Sequence, residues 1–220
     1  MPENCIFSYK TDENPKTLLD PGADAWKNPA QTALISRLWN GKDPLTSGPE
    51  VRAASASLWT ETAIFFLFRC SYEKLHVSRE YPSDRSVEGL WDYDVAEVFI
   101  KPAGCSGYFE YEVSPLSQYL AAHIIKPWKN VDFTWDSQMK ARAELDEKSS
   151  SWCAVIGLPF QPMADAEPFN RPKAGDIWRA NMFLALGADP SRYHMCWQPT
   201  LTEGPNFHVP AAFGCLIFKN

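Results

Sequence analysis

The segment from Trp91 to Ser114 carries the strongest folding signal of the chain, two runs of alternating side chains separated by a glycine-rich turn. Glu97 alternates with apolar neighbours in the first run, and Glu110 and Glu112 alternate with aromatic residues and valine in the second. Because side chains of a strand point alternately to its two faces, this pattern predicts a β-hairpin with an apolar row on one face and carboxylates on the other. Several carboxylates beside a tryptophan indicate a polar ligand site rather than a plain solvated surface.

The rest of the 220-residue chain repeats the strand signal at short intervals and contains few long helical patterns. Nine tryptophans, thirteen phenylalanines and eighteen prolines favour strands and loops over helices. An aromatic loop is predicted at 127–135 and a surface loop at 160–175. These patterns predict one all-β domain over residues 1–220, an antiparallel β-sandwich of immunoglobulin-like or jelly-roll-like type. Besides the hairpin, strands are predicted at 5–10, 51–59, 63–70, 118–125, 140–146, 151–159, 175–186, 192–197 and 212–218.

Charge and cysteine spacing argue against several classes of partner. The formal net charge is −6 and basic clusters are absent, so nothing electrostatic favours nucleic acid or an anionic membrane as a partner. Six cysteines occur without a CxxC pair, which argues against a zinc finger. Cys70, Cys153 and Cys215 lie in apolar runs and are expected to be buried free thiols.

The start of the sequence gives an expectation about location. The first ten residues contain no apolar run of the kind found in signal peptides, and no later run approaches the length of a membrane span. This predicts a cytoplasmic protein, or a secreted one if a signal peptide has been removed.

Polar residues of a later strand can complete the carboxylate face of the hairpin. Arg179 and Asn181 share one face of that strand, just as Glu97 and Glu112 share one face of the hairpin. Sugar hydroxyls donate to carboxylates and accept from guanidinium and amide groups, and a tryptophan such as Trp91 offers a flat surface to the C–H face of a pyranose. A structural Glu–Arg network across the sheet is the alternative reading of the same pattern.

Four segments resemble the family 9 carbohydrate-binding module and its wider relatives, namely LWDYDVAEVFIKP, GYFEYEVSP, IWRANMF and FHVPAAFGCLIF. The resemblance runs through most of the chain and includes Trp26 near the start and the pair Val51 and Arg52. It implies a β-sandwich that binds carbohydrate without catalysis. In that family two tryptophans sandwich a terminal sugar while an acid, an arginine and an asparagine bond to its hydroxyls.

The resemblance also implies roles for individual residues. The W-x5-E spacing places Trp91 as the first tryptophan and Glu97 as the acid. The second tryptophan is Trp197, in the segment CWQP, and the amide is Asn181. Arg179 is implied as the guanidinium.

Two features depart from the pattern of the family. Its well-studied members are secreted modules attached to glycanases, whereas the first residues of this chain predict a cytoplasmic location. Those members also often carry Asn where this chain has Ser114. Some relatives bind structural calcium. Calcium is therefore left open for this chain, although its sequence has no loop of EF-hand type. No other cofactor is expected.

Three alternatives to non-catalytic binding remain open at this stage. Glu97 and Glu112 have the chemistry of a glycosidase pair, whereas no GxSxG motif marks a nucleophile. Haem binding is the second alternative, although His194 and Met195 cannot both ligate one iron, because adjacent residues of a strand point to opposite faces. His208 is expected to bond backbone or to orient a site carboxylate, with direct ligand contact also open. The third alternative is a structural domain without a ligand.

Overall fold

The computed structural model describes residues 4–27, 32–44 and 52–220. Val51, named in the resemblance and in the strand predicted at 51–59, lies outside these residues. The described strands are β1 Cys5–Lys10, β2 Ala33–Ile35, β3 Arg37–Leu38, β4 Ala53–Trp59, β5 Ala63–Ser71, β6 Val95–Lys101, β7 Tyr108–Val113, β8 Tyr119–Lys126, β9 Asn130–Asp132, β10 Lys140–Asp146, β11 Ser151–Pro159, β12 Ile177–Leu186, β13 Tyr193–Cys196 and β14 Gly214–Lys219. The helices are α1 Pro15–Leu18 and α2 Phe160–Ala166, with 3₁₀ turns at Asp24–Trp26, Leu90–Asp92 and Pro210–Ala212.

The fourteen strands of the described residues form one hydrogen-bonded sheet. Its main order is β10-β11-β5-β4-β1-β14-β12-β6-β7-β8-β9, while β2 pairs with β4, and β13 pairs with β12 and β3. The prediction of an all-β sandwich is confirmed. Among the fourteen strands of the described residues the pairing is antiparallel except at β1, which runs parallel to both β4 and β14. Parallel neighbours require a long connection, and here the whole chain between β1 and β14 provides it.

The main hydrophobic core lies between the two halves of this sheet. Phe66 and Trp152 come from β5 and β11, and they belong to the same buried cluster as Val98, Tyr111 and Met182 from β6, β7 and β12. The apolar row predicted for the hairpin therefore faces the interior of the sandwich. Every second residue of these strands points into this core, and the residues between them therefore lie on the outer face of β6, β7, β8 and β12.

The outer face of β6, β7, β8 and β12 is covered by loops rather than exposed to solvent. Phe99, Ile124 and Phe183 of these strands form a second buried cluster, against which Phe133 and Phe207 pack from long loops. The carboxylates predicted for this face consequently lie beneath loops. Such an arrangement produces a cleft, the usual setting of a ligand site.

Helix α2 differs from the sequence prediction, which assigned residues 160–175 to a loop. Pro162 lies in the first turn of this helix, where a missing N–H costs little. Phe160 and Met163 are buried in the main core, and this packing stabilises a helix that composition alone did not indicate.

All six cysteines lie in the described residues and are free thiols. Cys70 is buried as expected, while Cys153 and Cys215 are partly exposed, which differs from the expectation. Within the described residues, no helix combines the length and apolar character needed to span a membrane.

Candidate functional site

A pocket of about 560 Å³ opens on the outer face of β6, β7 and β8. Its lining includes Glu97, Glu110 and Glu112 from two adjacent strands, and aromatic residues from the covering loops. Volumes of this size are typical of small-molecule sites.

The three glutamates converge because of the strand register. Glu97 lies directly opposite Glu112 across the β6–β7 pair, and Glu110 lies two residues from Glu112 on the same face. One carboxylate oxygen from each residue lies within 4.8 Å of the others. The residues are only 3%, 5% and 0% exposed for Glu97, Glu110 and Glu112 respectively. Within the described part of the chain, neither carboxylate oxygen of Glu112 has a hydrogen-bond partner.

Burial and mutual repulsion disfavour ionisation of the three carboxyl groups. Burial raises the pKa of Glu110 to about 7. Burial, followed by the charge of Glu110, holds the pKa of Glu97 well above its usual range. The pKa of Glu112 is also well above that range, because of burial and then the charges of Glu97 and Glu110.

Arg192 is the guanidinium whose charge acts on these carboxylates, and sequence reasoning missed it. Its charge lowers the pKa of Glu97 and of Glu112, but by less than burial raises it. Arg192 donates to the backbone carbonyls of Asp92 at 2.5 Å and of Trp91 at 2.6 Å. It therefore fixes the 3₁₀ turn that presents Trp91 to the pocket. No local motif marks Arg192 in the sequence.

Two exposed tryptophans stand beside the pocket. Trp91 is 38% exposed and tilts against Phe133, with ring centroids 5.6 Å apart. Trp128, in the turn between β8 and β9, is 70% exposed and makes an edge contact with His208 at 4.6 Å. Its φ of 62° lies in the left-handed region, which a bulky residue adopts only rarely and often at functional sites. Trp128 belongs to the aromatic loop that the sequence predicted at 127–135.

His208 connects the aromatic wall to the carboxylates. Its Nδ1 lies 2.7 Å from the hydroxyl of Tyr108, and its Nε2 lies 3.9 Å from Oε2 of Glu110. Burial lowers the pKa of His208 to about 4, so the ring is neutral at neutral pH. Neutral imidazole neither offsets the charge of the three glutamates nor adds to it.

Four of the seven residues predicted for the site line this pocket, namely Trp91, Glu97, Glu112 and His208. Arg179, Asn181 and Trp197 are not among the lining residues. The roles of all seven remain predictions. Sequence reasoning did not select Glu110, Trp128 or Arg192.

The three residues outside the pocket have other contacts. Arg179 donates to the backbone carbonyl of Phe213. Asn181 is buried and uses its amide to hold the backbone of Gln198, with distances of 2.8 and 3.0 Å. Trp197 is 8% exposed and belongs to the main core. Trp197 points inward because its neighbour Cys196 occupies the outer face, where it pairs with Phe183.

Comparison with known proteins gives one sequence relative. No family model matches the chain. An extracellular protein of Arthroderma benhamiae (strain ATCC MYA-4681 / CBS 112371) is 24% identical over 153 residues, which are 62% of this chain and 66% of the relative. The chain thus matches just under two thirds of the length of this relative.

Solved structures match over nearly the whole chain. A candidate carbohydrate-binding protein of Bacteroides uniformis ATCC 8492 superposes with a TM-score of 0.75 at 15% identity, covering 98% of this chain and 99% of that one. A family 9 carbohydrate-binding module of Caldicellulosiruptor kristjanssonii in complex with glucose gives 0.66 at 13% identity, covering 98% and 96%. The same type of module with cellotriose gives 0.65 at 12%, covering 98% and 94%. The fold is that of the family 9 carbohydrate-binding modules. The resemblance of the sequence to this family is therefore confirmed at the level of fold.

Proposed function

We propose that this protein binds carbohydrate without transforming it, and that the pocket above the three glutamates is its binding site. The carrying observation is the pairing of exposed indole rings with buried carboxylates around one cavity. Modules with the same fold hold glucose and cellotriose. The volume of about 560 Å³ suits a short saccharide.

Trp91 and Trp128 are proposed as the stacking surfaces for the sugar ring. Each is exposed at the pocket, and each is braced by a second ring, Phe133 and His208 respectively. A braced indole loses little conformational freedom when the C–H face of a sugar packs on it. In this assignment Trp128 replaces Trp197 as the second platform, because Trp197 belongs to the core.

Glu97 and Glu112 are proposed to accept hydrogen bonds from hydroxyl groups of the sugar. The oxygens of Glu112 lack partners among the described residues, so a bound hydroxyl would satisfy a buried acceptor that is costly to leave alone. Arg179 and Asn181 are proposed to contribute indirectly, because they hold the backbone of the segment that covers the outer face of the sheet.

Cleavage of a glycosidic bond is the second candidate function. The pKa of Glu110, raised to about 7 by burial, is suitable for a general acid. Glu112 and Glu97 lie beside it, and paired carboxyl groups are the usual catalytic groups of glycosidases. We favour binding alone because the three groups converge on one point rather than standing on either side of a bond.

We also propose that the protein acts outside the cell, as the relative from Arthroderma benhamiae is an extracellular protein. This differs from the cytoplasmic location expected from the first residues of the sequence. Immunodetection in medium and cell fractions of the native host tests the proposal. Recovery in the cell fraction alone would reject it.

Titration with glucose, cellotriose and other short saccharides, followed by calorimetry and tryptophan fluorescence, tests the function. Binding is expected in the wild type, with at least a tenfold loss in Trp128→Ala and in Trp91→Ala. Ile177→Ala is the matched control, since Ile177 is 52% exposed and is not among the pocket residues. New reducing ends that disappear in Glu110→Gln would establish cleavage instead. Absence of both binding and cleavage across the panel would reject a carbohydrate function.

A further inference from the structure

The three glutamates of the pocket have the geometry of a cation site. One oxygen from each of Glu97, Glu110 and Glu112 lies within 4.8 Å of the others. Oxygens that bind the same Ca²⁺ at opposite positions lie up to about 5 Å apart, since each Ca–O distance is about 2.3–2.6 Å. A single ion can therefore contact all three carboxylates without rearrangement of the strands.

The environment of Glu112 points independently to a missing partner. Glu112 is 0% exposed, and neither of its carboxylate oxygens has a hydrogen-bond partner among the described residues. Native proteins rarely leave such a group unsatisfied, because a buried carboxylate without a partner is costly. Its side chain lines the pocket, so a partner that enters the pocket can reach it.

The cationic side chains near the pocket do not supply that partner. Arg192 already donates to three backbone carbonyls, those of Trp91, Asp92 and Tyr93. His208 has its Nε2 3.9 Å from Oε2 of Glu110, which is beyond hydrogen-bond distance. Lys129 lines the pocket, but it is exposed to solvent. Three ionised carboxylates would thus keep most of their negative charge.

We propose that Glu97, Glu110 and Glu112 bind one hard divalent cation at the floor of the pocket. Carboxylate oxygens are the ligands preferred by Ca²⁺, Mg²⁺ and Mn²⁺. Ca²⁺ is the expected ion, because three carboxylates offer up to six oxygens in the flexible arrangement that it accepts. The three residues come from rigid adjacent strands, which holds the ligands in place before the ion arrives.

The position of the ion gives it a second role, and this part rests on the proposed carbohydrate function. The ion would have its protein ligands on one side and the cavity on the other. Two neighbouring hydroxyl groups of a sugar can complete its coordination from the cavity. Sugar affinity is then expected to depend on the cation.

Calorimetric titration of the full chain, stripped with chelator and then dialysed, tests the cation site with CaCl₂, MgCl₂ and MnCl₂ as probes. One Ca²⁺ per chain is expected to bind, with an accompanying rise in Tm. Glu112→Gln is expected to weaken binding at least tenfold, and Glu110→Gln serves as a second variant if the first fails to fold. Glu147→Gln, at an exposed position outside the pocket, is the matched control and should bind as the wild type does. Failure of all three ions to bind the wild type would overturn the proposal, as would unchanged binding in both triad variants.

Glucose and cellotriose titrations with and without Ca²⁺ separate the two proposals. Loss of sugar binding after chelation supports the bridging role. Ca²⁺ binding with unchanged sugar affinity overturns that role and leaves the cation site standing. Sugar binding by a protein that takes up none of the three ions overturns the cation site and leaves the carbohydrate function standing.

Discussion

Replacement of Glu110 by glutamine is expected to stabilise the cation-free protein, and increasingly so as pH rises. Glu110 is 5% exposed, and burial raises its pKa to about 7. In the unfolded chain the same carboxyl titrates near 4.3. Between these pH values the folded protein holds a proton that the unfolded chain has lost, so stability falls as pH rises. Above pH 7 the carboxylate is charged and buried in the folded state, and the whole penalty is present.

The size of the effect follows from the difference between the two pKa values. The difference of about 2.7 pKa units between the folded and the unfolded chain corresponds to roughly 3–4 kcal/mol, since one unit is about 1.4 kcal/mol. Glutamine has nearly the same shape and no charge, so the variant escapes this penalty. The free energy of unfolding of Glu110→Gln should therefore match that of the wild type near pH 4 and exceed it by roughly 3–4 kcal/mol near pH 8.

Urea unfolding in chelator at pH 4, 6 and 8 measures this difference. The wild-type curve alone is not diagnostic, because His208 contributes the opposite slope. Its pKa is lowered to about 4 in the folded state, so its contribution increases stability between about pH 4 and 6.5. Subtraction of the two proteins removes that contribution, and Glu147→Gln controls for the loss of a surface charge. Equal stabilities of Glu110→Gln and wild type at pH 8 would show that Glu110 carries no buried charge at that pH.

Two further substitutions test the surroundings of the pocket. Arg192→Lys should lower the free energy of unfolding by about 1–2 kcal/mol and weaken sugar binding several-fold. One ammonium group cannot replace the forked guanidinium group that holds the backbone of the turn of Trp91. An unchanged Tm and an unchanged sugar affinity would contradict this. Trp197→Ala should lower the free energy of unfolding by about 3–5 kcal/mol in urea titration, since Trp197 is 8% exposed in the main core. A Trp197 variant of wild-type stability that no longer binds sugar would instead restore the tryptophan to the site.

The carboxylate face was predictable because strand alternation is a local property of sequence. The period-two pattern of the hairpin alone placed Glu97 and Glu112 together, and the structure pairs them directly across two strands. The same rule, applied further along, would have placed Trp197 in the core. Trp197 lies two residues after Met195, so both point to the same face, and Met195 is buried in the main core. His194, next to Met195, points to the opposite face and lines the pocket.

Loop residues were beyond the reach of such rules. Trp128 lies in the turn between β8 and β9 and Arg192 lies just before β13, and both make contacts with segments far away in the chain. The burial of the carboxylates was equally unpredictable, because it follows from loops that fold over the outer face of the sheet. Alternation indicates which residues share a face, but it does not indicate whether that face is covered.

A crystal structure of the protein grown with Ca²⁺ and cellotriose would locate both ligands in one measurement. We expect a sugar ring between Trp91 and Trp128, with a hydroxyl or a sugar-bridging cation within bonding distance of Glu112. A saccharide bound on another surface, with the pocket above the three glutamates filled only by water, would contradict it.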